Sequence, residues 1–138
     1  MDVRSNEPFW LVKNGIKHSY PSLREDLDAD LLIAGAGITG ALMAHAAIKK
    51  GYRTILIDKR EVANGSTSAT TSMLQYEIDV PLYKLKKLIG EQGAIASYIA
   101  CRDAIYQLED LVGEIGSTCG FEKKESVYFA GNSKDLKW

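Results

Sequence analysis

Two short apolar runs with a longer mixed segment between them stand out in the first half of the chain. Leu31–Ala34 follows acidic residues and Thr54–Ile57 is bounded by Asp58, so each run is typical of a short buried strand. Between them, Ile38–Lys50 is rich in apolar residues, lacks proline and is followed by Gly51, which predicts a helix. Strand, helix and strand in such close succession predict a βαβ unit with parallel strands and a right-handed crossover.

Helical spacing returns only after a polar stretch. Arg60–Val80 shows no periodicity and has GSTSATTS at its centre. Pro81 then predicts the start of a helix, and Gly90 and Gly93 interrupt the pattern before a longer helix. The apolar positions of that longer helix are Ile95, Tyr98, Ile99, Ile105, Leu108, Leu111, Val112 and Ile115.

The N-terminal segment, residues 1–29, is mixed in character. Aromatic residues surround Asn14 and Gly15, a strong signal for a two-residue turn, so we expect a short hairpin or an arm laid on the domain. Ser22 followed by Glu25 matches a capping box and predicts one short helical turn.

The C-terminal segment carries a second strand-like pattern. Ser126–Ala130 (SVYFA) predicts a strand of a different, antiparallel sheet. Ser133 is predicted to cap a last helix, and the sequence ends at Trp138 inside that pattern.

Three glycines between the first strand and the helix have a spacing that points to a ligand. Gly35, Gly37 and Gly40 form G-x-G-x-x-G, Ala44 lies one helical turn further on, and Asp58 ends the second strand. Together these features form the dinucleotide-binding fingerprint in its structural context. A plain βαβ turn in a nucleotide-free protein is the alternative, because glycine-rich turns also recur by chance.

The fingerprint assigns a physical role to each position. Gly35 makes the tight turn, Gly37 lets a pyrophosphate reach the backbone, and Gly40 allows the helix to pack closely. The helix N-terminus, at Ile38 and Thr39, offers N–H groups and a positive dipole end to the phosphates. Asp58 is expected to accept hydrogen bonds from the adenosine ribose and to disfavour a 2′-phosphate, so NADP is the least favoured ligand.

Composition narrows the class of protein. The chain has 138 residues, 46% of them hydrophobic and 25% charged, which is typical of a globular domain with a core. A net charge of −1 gives no reason to expect nucleic acid as a partner, and no apolar run is long enough to span a bilayer. Two cysteines without a CxxC pattern, and no histidine near them, predict neither a disulfide framework nor a metal site, so we expect a cytoplasmic protein.

The fingerprint alone leaves the ligand and the reaction open. It does not separate FAD from NAD, so a flavoprotein and an NAD-linked dehydrogenase both remain. A regulatory module that binds a dinucleotide without a redox step is a third possibility.

Two stretches decide between these alternatives by resemblance. LLIAGAGITGALMAHAAIKKGYRTILIDKR and GSTSATTSMLQYEIDVPLYKL resemble the FAD-dependent oxidoreductases of the D-amino-acid oxidase superfamily, which includes glycine oxidase, sarcosine oxidase and glycerol-3-phosphate dehydrogenase. The resemblance is specific over residues 31–82 and implies FAD as cofactor. It implies that the small-residue loop passes under the pyrophosphate and reaches the isoalloxazine ring. The implied contacts are Lys59 and Arg60 flanking the adenosine, Ser66, Thr67 and Ser68 near the phosphates, and Thr71, Ser72, Met73 and Leu74 near the flavin.

The resemblance also implies a function and a domain plan. Through the amine and amino-acid oxidases of the group, it implies a flavoprotein that oxidises the C–N bond of an amine or amino acid, and members of the superfamily are more than twice as long as this chain. We therefore expect an N-terminal piece of a larger oxidoreductase, inactive alone, whose catalytic residues and remaining FAD contacts lie beyond Trp138. The expected fold is α/β, with an N-terminal arm over 1–29, an incomplete Rossmann-like domain over 30–120 and the start of a substrate-domain sheet over 121–138.

Overall fold

The computed structural model describes residues 7–77 and 79–133. The chain forms two compact units, Met1–Ser72 and Met73–Trp138, and the domain plan above stays a prediction. The elements of the first unit are α1 (Phe9–Asn14), β1 (Leu31–Ala34), α2 (Ile38–Lys49), β2 (Thr54–Ile57) and a 3₁₀ turn (Ser66–Ala69). Those of the second unit are α3 (Leu82–Ile89) and α4 (Glu91–Glu114).

The predicted βαβ unit is confirmed. β1 and β2 pair in parallel, with Leu31 opposite Thr54 and Ala34 opposite Ile57. Both strands have the predicted bounds, and α2 ends one residue earlier than predicted. Gly51 follows with a φ of +84°, a conformation that favours glycine and stops the helix.

Small side chains bring α2 close to the sheet. Gly40, Ala44 and Ala47 are the buried residues of α2, and their spacing places them on one helix face. Ile33 of β1 is buried, but Leu32 is exposed and β2 is only half-buried. The expectation of buried strands is therefore only partly correct, because the sheet of the described residues has only two strands.

Among its described residues, the N-terminal segment contains neither the hairpin, one of the two alternatives expected for it, nor the predicted helical turn. Phe9 and Trp10 lie on α1, not on a hairpin, and the Gly15 N–H closes that helix by donating to the Leu11 carbonyl at 2.8 Å. With a φ of +66°, Gly15 acts as a helix stop and not as the centre of a strand turn. No helical turn follows Ser22, since one capping pair cannot offset the nucleation cost of an isolated turn.

The second unit is a pair of helices. Gly90, with a φ of +82°, separates α3 from α4, whereas Gly93 lies inside α4 and does not interrupt it. Leu85 and Ala94 are buried between the two helices, and the Tyr98 hydroxyl donates to the Val80 carbonyl at 3.0 Å. Both predicted helices are confirmed. Within the described part of the chain, no helix has the length and apolar composition needed to cross a membrane.

The predicted strand at Ser126–Ala130 is not present. The segment is irregular, and Val127, Tyr128 and Phe129 are 83%, 84% and 79% exposed. A strand needs a neighbour to pair its N–H and C=O groups, and the only sheet in the described residues is the β1–β2 pair. The helix predicted after Ser133 lies outside the described residues.

Candidate functional site

The first glycine of the motif makes the turn that the sequence predicted. Gly35 has a φ of +113°, and its N–H donates to the Ile57 carbonyl at 2.7 Å. This backbone conformation is strained for any residue with a Cβ. The turn therefore leaves β1 while its backbone stays paired with β2.

The third glycine is required by packing. A Cβ on Gly40 would overlap the Gly35 carbonyl and would lie 3.3 Å from Leu56 Cδ1. Helix α2 therefore begins in direct contact with the turn that precedes it. This agrees with the close packing expected of Gly40.

Asp58 ties the end of β2 to the glycine turn. Its Oδ2 accepts a hydrogen bond from the Ala36 N–H at 2.8 Å, and its Oδ1 accepts one from the Arg60 N–H at 2.9 Å. These two bonds, Ala36 first, lower the pKa of the exposed Asp58 carboxyl, and the Arg60 charge adds to the effect. A carboxylate has about four acceptor sites on its two oxygens, so ligand hydroxyls can still bind. Sequence reasoning gave Asp58 a ligand-binding role and missed this backbone contact.

Thr67 brings the serine- and threonine-rich loop to the start of α2. Its Oγ1 accepts a hydrogen bond from the Ile38 N–H at 3.0 Å, and a Cβ on Gly37 would lie 3.1 Å from the same oxygen. Ile38 carries one of the first N–H groups of the helix, which have no partner within the helix. The hydroxyl therefore lies where the sequence predicts phosphates, and its own proton can be donated to an anion.

Ser68 and Arg60 support the loop from inside. Ser68 is 3% exposed, and its hydroxyl donates to the Gly65 carbonyl at 2.7 Å. The Arg60 guanidinium packs on Gly65, 3.0 Å from where a Cβ would stand. Ser66 and Thr39 are exposed near the same helix end. In this arrangement the Ser68 hydroxyl stabilises the loop.

Two residues without a glycine's freedom adopt positive φ angles. Ala63 has a φ of +60°, and its N–H donates to the Ala36 carbonyl at 2.9 Å. Ser72 has a φ of +58° at the end of the first unit. Such conformations persist where surrounding contacts enforce them, which is common at functional sites. Nothing in the sequence pattern marks Ala63.

The strand ends open into a cleft. A cavity of ≈ 490 Å³ is lined by Ala34, Gly35, Ile57, Asp58, Lys59 and Arg60. These residues lie at the carboxyl ends of β1 and β2, where open α/β sheets bind ligands. Thr71 and Ser72 are the last residues of the first unit, whereas Met73 and Leu74 are exposed residues of the second.

The N-terminal segment contacts the same loop, and these particular contacts were not predicted from the sequence. The Trp10 indole N–H donates to the Thr70 carbonyl at 2.8 Å, and the Ser19 hydroxyl donates to Glu61 Oε1 at 2.9 Å. α1 also packs on the 3₁₀ turn. The available sequence signal for this contact was the tryptophan itself. A buried or docked indole usually has a hydrogen-bond partner for its N–H.

A protein family and one relative each match this chain over most of its length. The family described as FAD dependent oxidoreductase matches residues 30–138. The chain is 29% identical over 131 residues to the putative Rieske 2Fe-2S iron-sulfur protein YhfW of Bacillus subtilis (strain 168), covering 95% of this chain and 26% of that protein. It is 39% identical over 49 residues to the tRNA 5-methylaminomethyl-2-thiouridine biosynthesis bifunctional protein MnmC of Maricaulis maris (strain MCS10).

Each of these relatives is aligned with the chain over only part of its own length. The MnmC match covers 36% of this chain and 8% of that protein. The chain thus spans about a quarter, 26%, of the length of YhfW and less of MnmC. No solved structure gives a significant match.

Proposed function

The chain belongs to the FAD-dependent oxidoreductase family, and from this we propose that it supplies the adenosine and pyrophosphate contacts of a flavoenzyme that oxidises the C–N bond of an amine or amino acid. One observation carries the proposal. The Thr67 hydroxyl accepts the Ile38 N–H beside Gly37, so this hydroxyl lies at the positive end of the helix dipole and keeps its own proton to donate to a ligand.

The residues at this point suit a pyrophosphate. A Cβ on Gly35 would meet nothing within 4 Å, so the backbone there is open to a ligand, and Gly37 adds no side chain beside Thr67 Oγ1. The N-terminus of α2 offers a positive dipole end. In our proposal the phosphates bind here, with the Thr67 hydroxyl as a further donor.

The residues after β2 suit the adenosine. Asp58 lies at the carboxyl end of β2 and lines the cleft with Lys59 and Arg60. Its pKa is lowered, so it is a carboxylate at neutral pH and can accept bonds from the ribose hydroxyls. A negative charge at this point repels a 2′-phosphate. We propose that Asp58 binds the ribose and that Lys59 and Arg60 flank it.

The class of substrate rests on family likeness. Bound FAD would accept a hydride from the carbon next to the substrate nitrogen, which leaves an imine that water hydrolyses. MnmC is named for a methylaminomethyl modification, a group with a C–N bond, which supports an amine as substrate. The groups that anchor the substrate would lie in other parts of the protein. The iron–sulfur centre in the name of YhfW is not transferred to this chain.

The location and the partners of the protein are also proposals. We propose a cytoplasmic location, because the chain has only two cysteines, Cys101 and Cys119, and no CxxC pattern. The proposed partners are a small amine or amino acid and further domains of the same protein. The Ser126–Ala130 segment, exposed in this chain, would pair with strands of those domains.

Flavin content of the purified full-length protein tests the proposal. Gly37→Val should remove bound FAD, because its branched side chain would occupy the pyrophosphate position and displace Thr67. Gly113→Val is the matched control, since a Cβ at Gly113 meets nothing within 4 Å. Equal flavin content in both variants would refute the assignment.

Bleaching of the bound flavin by amines under anaerobic conditions tests the substrate class. A flavin that no amine or amino acid reduces would refute the proposed substrate class.

A further inference from the structure

The serine- and threonine-rich loop is held at two points only three residues apart. At Thr67 the hydroxyl binds the start of α2 through the Ile38 N–H. At Thr70 the carbonyl accepts the indole N–H of Trp10 from α1. The Thr70 N–H also points back at the Thr67 carbonyl, 3.4 Å away, across the 3₁₀ turn. This bond links the backbone of Thr70 to that of Thr67, whose hydroxyl contacts α2.

The segment beyond Thr70 depends on the same point. The Ser72 N–H donates to Thr70 Oγ1 at 3.2 Å, and Ser72 keeps a φ of +58°. A residue with a Cβ holds this conformation only when its neighbours impose it. Fixing Thr70 thus also fixes the direction in which the chain leaves the loop.

The indole is placed for this contact by its own surroundings. Trp10 packs edge-on against Phe9, with ring centroids 4.9 Å apart, and Lys13 Nζ lies 5.4 Å from the Trp10 ring centroid. Ser19 adds a second attachment of the same segment, to Glu61. Residues 9–19 are therefore joined to Thr70 within the loop and to Glu61 ahead of it.

We propose that residues 9–19 act as a clasp that holds the loop in its cofactor-binding conformation, with Trp10 as a positioning residue that acts through Thr70 on Thr67. This inference rests on the proposed function, because it concerns the affinity for FAD. Trp10 itself contacts the loop and not the ligand.

A double-mutant cycle in the full-length protein tests the clasp. Trp10→Phe keeps an aromatic ring but removes the N–H, and it should weaken FAD binding about two- to tenfold, the range for one hydrogen bond. Thr67→Val removes the hydroxyl. If Trp10 acts through Thr67, the double variant should lose little more affinity than Thr67→Val alone. Val12→Ala is the matched control, because Val12 is a 70% exposed residue of the same helix and its replacement leaves the Trp10 N–H bond intact.

The possible outcomes distinguish failure of the proposed function from failure of the clasp. A parent protein that binds no FAD refutes the proposed function, whatever the variants do. If the parent binds FAD and Trp10→Phe binds it with the same affinity, the clasp alone is refuted. Full additivity of the affinity losses of Trp10→Phe and Thr67→Val also refutes the clasp alone.

Backbone hydrogen exchange should be faster in residues 66–72 of Trp10→Phe and unchanged in β1 and β2. If that variant does not fold, exchange of the Trp10 indole proton in the parent decides, and a rate that FAD does not slow overturns the clasp.

Discussion

Gly40 packs so tightly on Gly35 that a Cβ on Gly40 would overlap the Gly35 carbonyl oxygen. Gly35 in turn holds a φ of +113° that a residue with a side chain rarely adopts. Gly40 is therefore required by the Gly35 backbone and Gly35 by its own φ angle, independent of any ligand. Gly37 differs, because the atom facing it is a side-chain hydroxyl, that of Thr67.

We expect Gly40→Ala to destabilise the protein by at least about 3 kcal/mol, the upper range for overpacking, because backbone must move to admit the methyl group. Gly37→Ala should cost less than about 1.5 kcal/mol, since the Thr67 side chain can rotate away. Chemical denaturation with Gly113→Ala as reference measures both. Similar losses for Gly40→Ala and Gly37→Ala would contradict this account.

The parts of the fold that sequence predicts are those fixed by neighbouring residues. β1, α2 and β2 follow from local periodicity, and the glycine spacing places the turn between them. The Gly40, Ala44 and Ala47 face was also readable, since helical spacing alone brings small residues together.

The remainder depends on contacts between distant residues. The Trp10–Thr70 bond joins positions 60 residues apart, and no periodicity encodes it. Asp58 was found from its place after a strand, but its bond to the Ala36 N–H follows from the shape of the turn. The SVYFA pattern does predict β propensity, yet propensity alone forms no strand without a partner.

Asp58→Asn should make stability less sensitive to acid. The Ala36 and Arg60 N–H groups lower the Asp58 pKa in the folded protein, below the value of about 3.9 for an unfolded chain. The stabilisation is therefore complete above about pH 5 and is lost as the pH falls through about 4 toward the lowered pKa. For an exposed carboxylate the loss should be at most about 1 kcal/mol.

The measurement is the free energy of unfolding between about pH 5 and pH 3, where this group titrates. The parent should lose stability more steeply than Asp58→Asn. Asp26→Asn, an equal charge change in the irregular segment, should follow the parent. Parallel curves for Asp58→Asn and the parent would show that the contact to Ala36 adds nothing.

Thr67→Val should lower stability by about 1 kcal/mol, the usual effect of removing a hydroxyl that caps a helix N-terminus. The shape of the side chain is kept, so the loss reports the hydrogen bond to the Ile38 N–H. Thr67→Ser retains the hydroxyl and should stay close to the parent in denaturant midpoint. A serine variant as unstable as the valine variant would contradict this account, because the retained hydroxyl would then give no protection.

Tyr98→Phe tests the second unit, where the Tyr98 hydroxyl donates to the Val80 carbonyl ahead of α3. Removing the hydroxyl should cost about 1 kcal/mol at neutral pH, since it leaves that carbonyl without this donor. Burial is the main reason why the Tyr98 pKa is raised in the folded protein, with the Tyr128 and Glu77 charges adding to it.

Because of this raised pKa, Tyr98 ionises in the unfolded chain at a lower pH than in the folded protein. The stabilisation is therefore full below about pH 10 and is lost as the pH rises further. Denaturation at increasing pH should show a smaller alkaline loss for Tyr98→Phe than for the parent. Tyr106→Phe, which alters an exposed ring of the same helix, should keep the full loss, and an equal flattening in both variants would overturn the assignment to Tyr98.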